Sequence, residues 1–263
     1  MGANLSQLCC QCFTQEENDP DIPLLPISHK SSFTSTSTVD LSETPEYRTE
    51  EAHPKQDYFF KLIEDACIEF LLHIRGNFEE EGFAETLKKD NIRILSKETS
   101  SGFAIKSEVA MNCEPKHIID LILDVKNRKN WDENVERIEL VANLHEDTTV
   151  TYVKYKKMLV VSSRDAVMVN RVFKDNGGIA FVSTSCELDE FPVLDDTVRA
   201  KVEVAGYWVE KVSENKSRII GYTAGDAGGK IPKALVKMAS ATALPRFINA
   251  MQRAVNSRYK NKN

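Results

Sequence analysis

Phe59, Leu62, Ile63, Ala66, Phe70 and Ile74 recur at three- and four-residue intervals, which predicts an amphipathic helix from Tyr58 to Ile74, closed by Gly76. Short strand patterns follow at 92–96 and 103–111. A second helix is predicted from Glu114 to Leu123, with Pro115 at an early helical position. Strand-like runs then succeed one another at 135–143, 149–157, 165–173, 178–185, 197–212 and 217–224. Turn residues such as Asn143, Gly177-Gly178 and Ser213-Glu214-Asn215 separate them. Six consecutive strands on short connections predict an antiparallel sheet. In the last segment, from Ile231, Leu244, Phe247, Ile248, Met251 and Val255 fall on one face of a long terminal helix. Helix, sheet and closing helix together make an α+β domain.

The strand patterns are of two kinds. Val198, Ala200, Val202 and Val204 alternate with Arg199, Lys201 and Glu203, as expected of a strand with one wet face. Ala166–Phe173 and Ile179–Val182 are apolar on both faces and need cover on both. With three or four helices available, either helices and loops supply that cover or one face lines an internal apolar cavity.

Residues 13–56 form no such pattern. Pro20, Pro23, Pro26, Pro45 and Pro54 interrupt them, and 31–38 is a Ser/Thr run, so they read as a disordered linker. A flexible chain of that length reaches roughly 35–40 Å. Residues 1–12 read as an acylated membrane anchor. Gly2 and Ser6 fit the N-myristoylation pattern, and Cys9, Cys10 and Cys12 lie where palmitoylation would add a second chain. One myristoyl group binds membranes with an association constant of only about 10⁴ M⁻¹, so a second signal is needed. The acidic linker supplies no basic patch. The domain, 57–263, is then expected in the cytosol, held at the cytoplasmic face of a membrane, the plasma membrane being the expected one.

Charge sharpens this picture. The chain carries a net −6, yet from Ala227 onward there is no acid and there are eight basic residues. A basic helix with one apolar face fits an anionic membrane surface, and it equally fits a core helix with a solvated basic side. No apolar run approaches a membrane span. An acidic chain without an Arg/aromatic-rich surface argues against nucleic acid. Cys67, Cys113 and Cys186 sit among apolar neighbours as core thiols, and no ligand spacing predicts a metal site. Neither a nucleophile elbow nor a phosphate loop is present, so no enzyme and no cofactor are expected.

Three stretches, 124–135 (DVKNRKNWDENV), 162–172 (SSRDAVMVNRV) and 222–255, in which Gly-Lys-Ile-Pro-Lys opens the terminal helix, resemble START domains in order and spacing. The resemblance spans about 57–259 and is nearest to the phosphatidylcholine-transfer branch. It implies a helix-grip fold, a curved antiparallel sheet wrapped on the C-terminal helix, with an internal tunnel for a single lipid that the domain transfers or presents. A lipid-sensing adaptor without transfer is the alternative.

At the tunnel's head-group end the resemblance places Arg128 and Asp132, flanking Trp131. A guanidinium there suits a phosphate, and a charge in an apolar tunnel must be paired. An exposed helical salt bridge is the plainer reading of the same spacing. Tyr152 and Tyr222 are the further lipid-binding candidates. Aromatic positions that cage choline in relatives align with Val153, Ala166 and Glu203, which leaves another phospholipid or a sphingolipid open. Gly228, Gly229, Ile231, Pro232 and Leu235 form the expected gate, with loops 158–163 and 189–196. A monomer is expected.

Overall fold

The computed structural model describes residues 53–76, 81–89, 91–158, 161–229, 231 and 233–259, with the backbone alone at 233, 234, 236, 237, 239 and 240. The first helix, α1, runs Gln56–Arg75, beginning at the last residue of the expected linker. It buries Phe59, Ile63, Ala66, Cys67, Phe70, Leu71 and Ile74, each large side chain contributing on the order of 1.5–3 kcal/mol. Helix α2 spans Pro115–Leu123 and α3 spans Lys233–Tyr259. The terminal helix thus starts two residues later than the sequence pattern suggests.

Among the described residues ten strands form one sheet: β1 Ala84–Lys89, β2 Ile92–Thr99, β3 Gly102–Met111, β4 Val135–His145, β5 Thr148–Tyr155, β6 Ser163–Asp175, β7 Gly178–Ser185, β8 Thr197–Arg199, β9 Lys201–Ser213 and β10 Lys216–Asp226. Their order is β1-β2-β3-β10-β9-β7-β6-β5-β4, antiparallel along this path. The curved sheet with its C-terminal helix is the helix-grip fold.

Two strand expectations need correction. β1 reads AETLKK, a polar edge segment without an apolar alternation, and the sequence pattern missed it. The run 197–212 is not one strand: it breaks at Ala200, and the short β8 pairs parallel with the start of β6. Its expected alternation fails as well. A register shift between Ala224 and Gly225, paired with Val204 and Val202, bends β9 there. Val202 consequently packs with Val153 and Ala166, whereas Val204 joins the core under α1.

The strands that are apolar on both faces are covered on both. Helix α1 lies across β6, β7, β9 and β10; α2 packs on β7 and β9 and against α3, which reaches over to β1 and β2. Val167, Val169 and Trp208 belong to the α1 layer, and Val172, Val209 and Ile219 to the layer beneath α2 and α3. Cys67, Cys113 and Cys186 are buried and reduced, and burial pushes the Cys67 and Cys186 thiols up to about 12, which leaves them inert. Among the described residues no helix is long and apolar enough to cross a membrane.

Candidate functional site

Between α2 and β4 the chain makes a 3₁₀ turn, Val125–Asn130. Asp124 fixes its start by accepting hydrogen bonds from the Asn127 amide, at 3.0 Å to each oxygen, and from Arg258 at 2.7 Å. The Asp132 N–H donates to the Arg128 carbonyl at 2.9 Å, which closes the turn so that the two side chains meet. Arg128 Nε donates to Asp132 Oδ2 at 3.0 Å, and Nη2 forms an ion pair with the same oxygen at 2.9 Å. The other oxygen, Oδ1, accepts from the Asn134 backbone and side chain at 3.2 and 3.3 Å. The Asp132 side chain is 2% exposed and that of Arg128 14%, so this is a buried pair and not a surface bridge.

Aromatic rings enclose it. The guanidinium carbon of Arg128 stands 4.4 Å from the Trp131 ring and 5.2 Å from that of Phe247, on α3. Trp131 and Phe247 lie 5.6 Å apart, and Tyr207 of β9 stacks on Phe247 at 6.3 Å. Burial pushes the Tyr207 phenol up to about 12 and raises that of Tyr155 too, with Arg128 the nearest charge opposing each. Tyr155 nevertheless leaves 39% of its surface uncovered. Its uncovered ring lies on the face of β5 that carries Val153, the face of the Arg128 pair. Two donors there lack partners among the described residues. Arg128 Nη1 has no hydrogen-bond partner among the described residues, and the buried Trp131 indole N–H has no acceptor.

Tyr152 and Tyr222 lie apart from this cluster. Both belong to the layer under α1. Tyr152 stacks on Phe191 at 5.0 Å and donates to Asp165 at 3.2 Å; Tyr222 stacks on His73 at 4.2 Å. Successive residues of a strand face opposite ways, so Tyr152 points away from Val153 and from the Arg128 side of the sheet. Sequence reasoning missed Tyr155, Tyr207 and Phe247. The first two could have been found by taking the parity of Val153 and Val209 along β5 and β9.

Of the gate residues, Gly228 and Gly229 have φ of +72° and +71°, a left-handed pair between β10 and α3. Ile231 and Leu235 are half-buried, and Pro232 lies outside the described residues. So do Gly2, Cys9, Cys10 and Cys12. Beside α3, an open cleft of about 800 Å³ is lined by Ala84, Thr86, Ser96, Phe103, Met238 and Ala241. On the outer side of α3, Arg246 and Arg253 are exposed. Among the described residues no three His, Cys, Asp or Glu side chains converge to hold a metal.

A family model described as START domain matches residues 81–261. Phosphatidylcholine transfer protein from Mus musculus is 27% identical over 58% of this chain and 72% of its own length. Its Homo sapiens counterpart is 25% identical over 74% and 92% respectively. Among solved structures, human StAR-related lipid transfer protein 5 superposes with a TM-score of 0.71 at 19% identity, covering 78% of this chain and 99% of that one.

Proposed function

The chain belongs to the START domain family, and on that premise we propose that it binds one phospholipid in an internal tunnel beneath α3 and moves it between membranes. The observation that carries this reading is the buried Arg128–Asp132 pair with an unpartnered guanidinium edge beside free aromatic surface. A phosphate accepts from Nη1 and from the Trp131 indole N–H, while Asp132 keeps the guanidinium oriented. The relatives named for lipid transfer support the same reading. Transfer needs no bond chemistry. Apolar walls replace the bilayer around the acyl chains at about 25 cal/mol per Å² of surface removed from water, and Arg, which does not give up its proton, is no general acid.

The proposal extends to the phosphate that all phospholipids share. Arg128 occupies the ring faces of Trp131 and Phe247, so a quaternary ammonium has only Tyr155 and Tyr207 to lie on. The domain acts as a monomer, without a cofactor, tethered through acylated Gly2 and Cys9, Cys10 and Cys12 to the cytoplasmic face of the plasma membrane, where basic residues of α3 meet anionic lipid. Movement of fluorescent phosphatidylcholine and phosphatidylethanolamine from donor to acceptor vesicles tests it. Catalytic amounts of protein should accelerate at least one of them. Acceleration of neither contradicts transfer.

A further inference from the structure

We infer that the outer face of α1 is a docking surface for a basic amphipathic helix of a partner protein. Helix α1 buries Phe59, Ile63, Phe70 and Ile74 against the sheet, yet two large aliphatic side chains point the other way: Leu72 is 69% exposed and Ile68 52%. They stand four residues apart and so lie side by side on the helix. Tyr58, on the same side near the start of α1, is 45% exposed. Tyr58, Lys61, Asp65, Ile68 and Leu72 are all exposed and follow one another at intervals of 3, 4, 3 and 4 residues. That alternation is the spacing with which one helix presents a seam to another. The 20 residues of α1 give this seam a length of about 30 Å.

The flanks of the seam choose the partner. Asp57 and Glu64, both exposed, immediately precede Tyr58 and Asp65, and Glu69 follows Ile68 with 46% of its side chain exposed. These are the positions at which the charges of two paired helices meet. Lys61 is the only basic side chain among the exposed positions of α1. The helix that fits therefore carries Lys or Arg along both edges and apolar side chains opposite Ile68 and Leu72. A second copy of α1 would set acid against acid. The basic helix of this chain is already engaged, since Phe247, Ile248, Met251 and Val255 of α3 are buried in the domain. An anionic bilayer would be repelled by the same acids. Helices α1 and α3 also cover opposite faces of the sheet, with Trp208 in the α1 layer and its neighbour Val209 in the layer of α2 and α3. With the exposed Arg246 and Arg253 of α3 toward a membrane, α1 faces the aqueous phase, where a protein can reach it. The inference does not depend on which lipid the domain carries.

The test uses the full chain and two fluorescent peptides of three heptads each, with Leu at the seam positions and either Lys or Glu at the flanking ones. Anisotropy titration should show saturable binding of the Lys peptide and none of the Glu peptide. Ile68→Ser/Leu72→Ser should weaken binding of the Lys peptide about tenfold or more, the scale set by burying two large aliphatic side chains. Asp57→Lys/Glu64→Lys, which places like charges along one edge, should also weaken it. Both variants should melt near wild type, because no buried contact is removed, and Arg246→Ala/Arg253→Ala should bind the peptide as wild type does. Failure of the Lys peptide to bind, equal binding of the two peptides, or undiminished binding by Ile68→Ser/Leu72→Ser overturns the inference. So does loss of phosphatidylserine-vesicle binding in Ile68→Ser/Leu72→Ser, which would make this a lipid face. A wild-type dimer in sedimentation that this variant lacks would seat a second copy there and overturn it equally.

Discussion

Arg128 grips Asp132 at 2.9 Å across a 3₁₀ turn, not along an α-helix, with the carboxylate almost wholly buried. The four-residue spacing alone would be satisfied by an exposed bridge worth a few tenths of a kcal/mol. Burial changes the meaning of the pair. Desolvating two charges is justified only if both are well bonded, and here the carboxylate is saturated while the guanidinium is not. The imbalance supports the proposal that Arg128 contacts the ligand and Asp132 orients it.

Arg128→Leu removes the contact and strands Asp132. The expected cost is about 3 kcal/mol, a fall in melting temperature of about 6–12 °C for a domain of this size, with the fold retained in circular dichroism. Asp132→Ala should destabilise less and keep part of the lipid binding, since Arg128 can still reach a phosphate. Equal stability of Arg128→Leu and wild type would mean that the pair is solvated.

Asp147, at the β4–β5 turn, gives a pH dependence unrelated to lipid. Burial raises its pKa, but hydrogen bonds from Thr148 and His145 and the Arg171 guanidinium outweigh that and hold the carboxyl below the usual aspartate range. A depressed folded pKa stabilises fully above the unfolded value of about 4 and is lost as pH falls through the folded one. Denaturation midpoints should therefore drop below pH 4, and Asp147→Asn should cost about 1–2 kcal/mol at pH 7 while flattening that drop. An Asp147→Asn profile parallel to wild type would sink this assignment.

Much of the fold was legible because its elements carry their own periodicity. The α1 stripe from Phe59 to Ile74 and the double-faced strands at Ala166–Phe173 needed no partner to be recognised. β1 was illegible because an edge strand has little to bury, and the break at Ala200 because a three-residue parallel strand leaves no alternation. The site was half legible. Arg128, Trp131 and Asp132 lie on one turn and are seen together, whereas Tyr155, Tyr207 and Phe247 arrive from three elements that only tertiary packing assembles. Tyr152 lies on the opposite face of β5 from Val153, a separation that strand parity gives and residue type does not.

The proposed docking by α3 uses charge that the described surface shows at Arg246 and Arg253. Replacing both with Ala should weaken binding to phosphatidylserine-containing vesicles about tenfold or more, at about 1 kcal/mol per residue. The loss should shrink as salt rises, because screening acts over about 8–10 Å. Binding by the double variant that equals wild type in low salt would place docking on the loops.

The proposed membrane tether is residues 1–12. Gly2→Ala should shift the protein from the membrane to the soluble fraction, and replacing Cys9, Cys10 and Cys12 together should leave only transient association, as one acyl chain allows. A Gly2→Ala protein that sediments with membranes as fully as wild type would rule out the acyl anchor.

Lipid occupancy decides the central claim most directly. Native mass spectrometry of the full chain should show one bound lipid per protein, which fragments to a phosphate-bearing head group. Arg128→Leu, folded by circular dichroism, should have lost most of it. A wild-type protein that carries no phospholipid, or an Arg128→Leu protein that carries the same phospholipid at the same occupancy, would contradict the assignment of Arg128 as the phosphate contact.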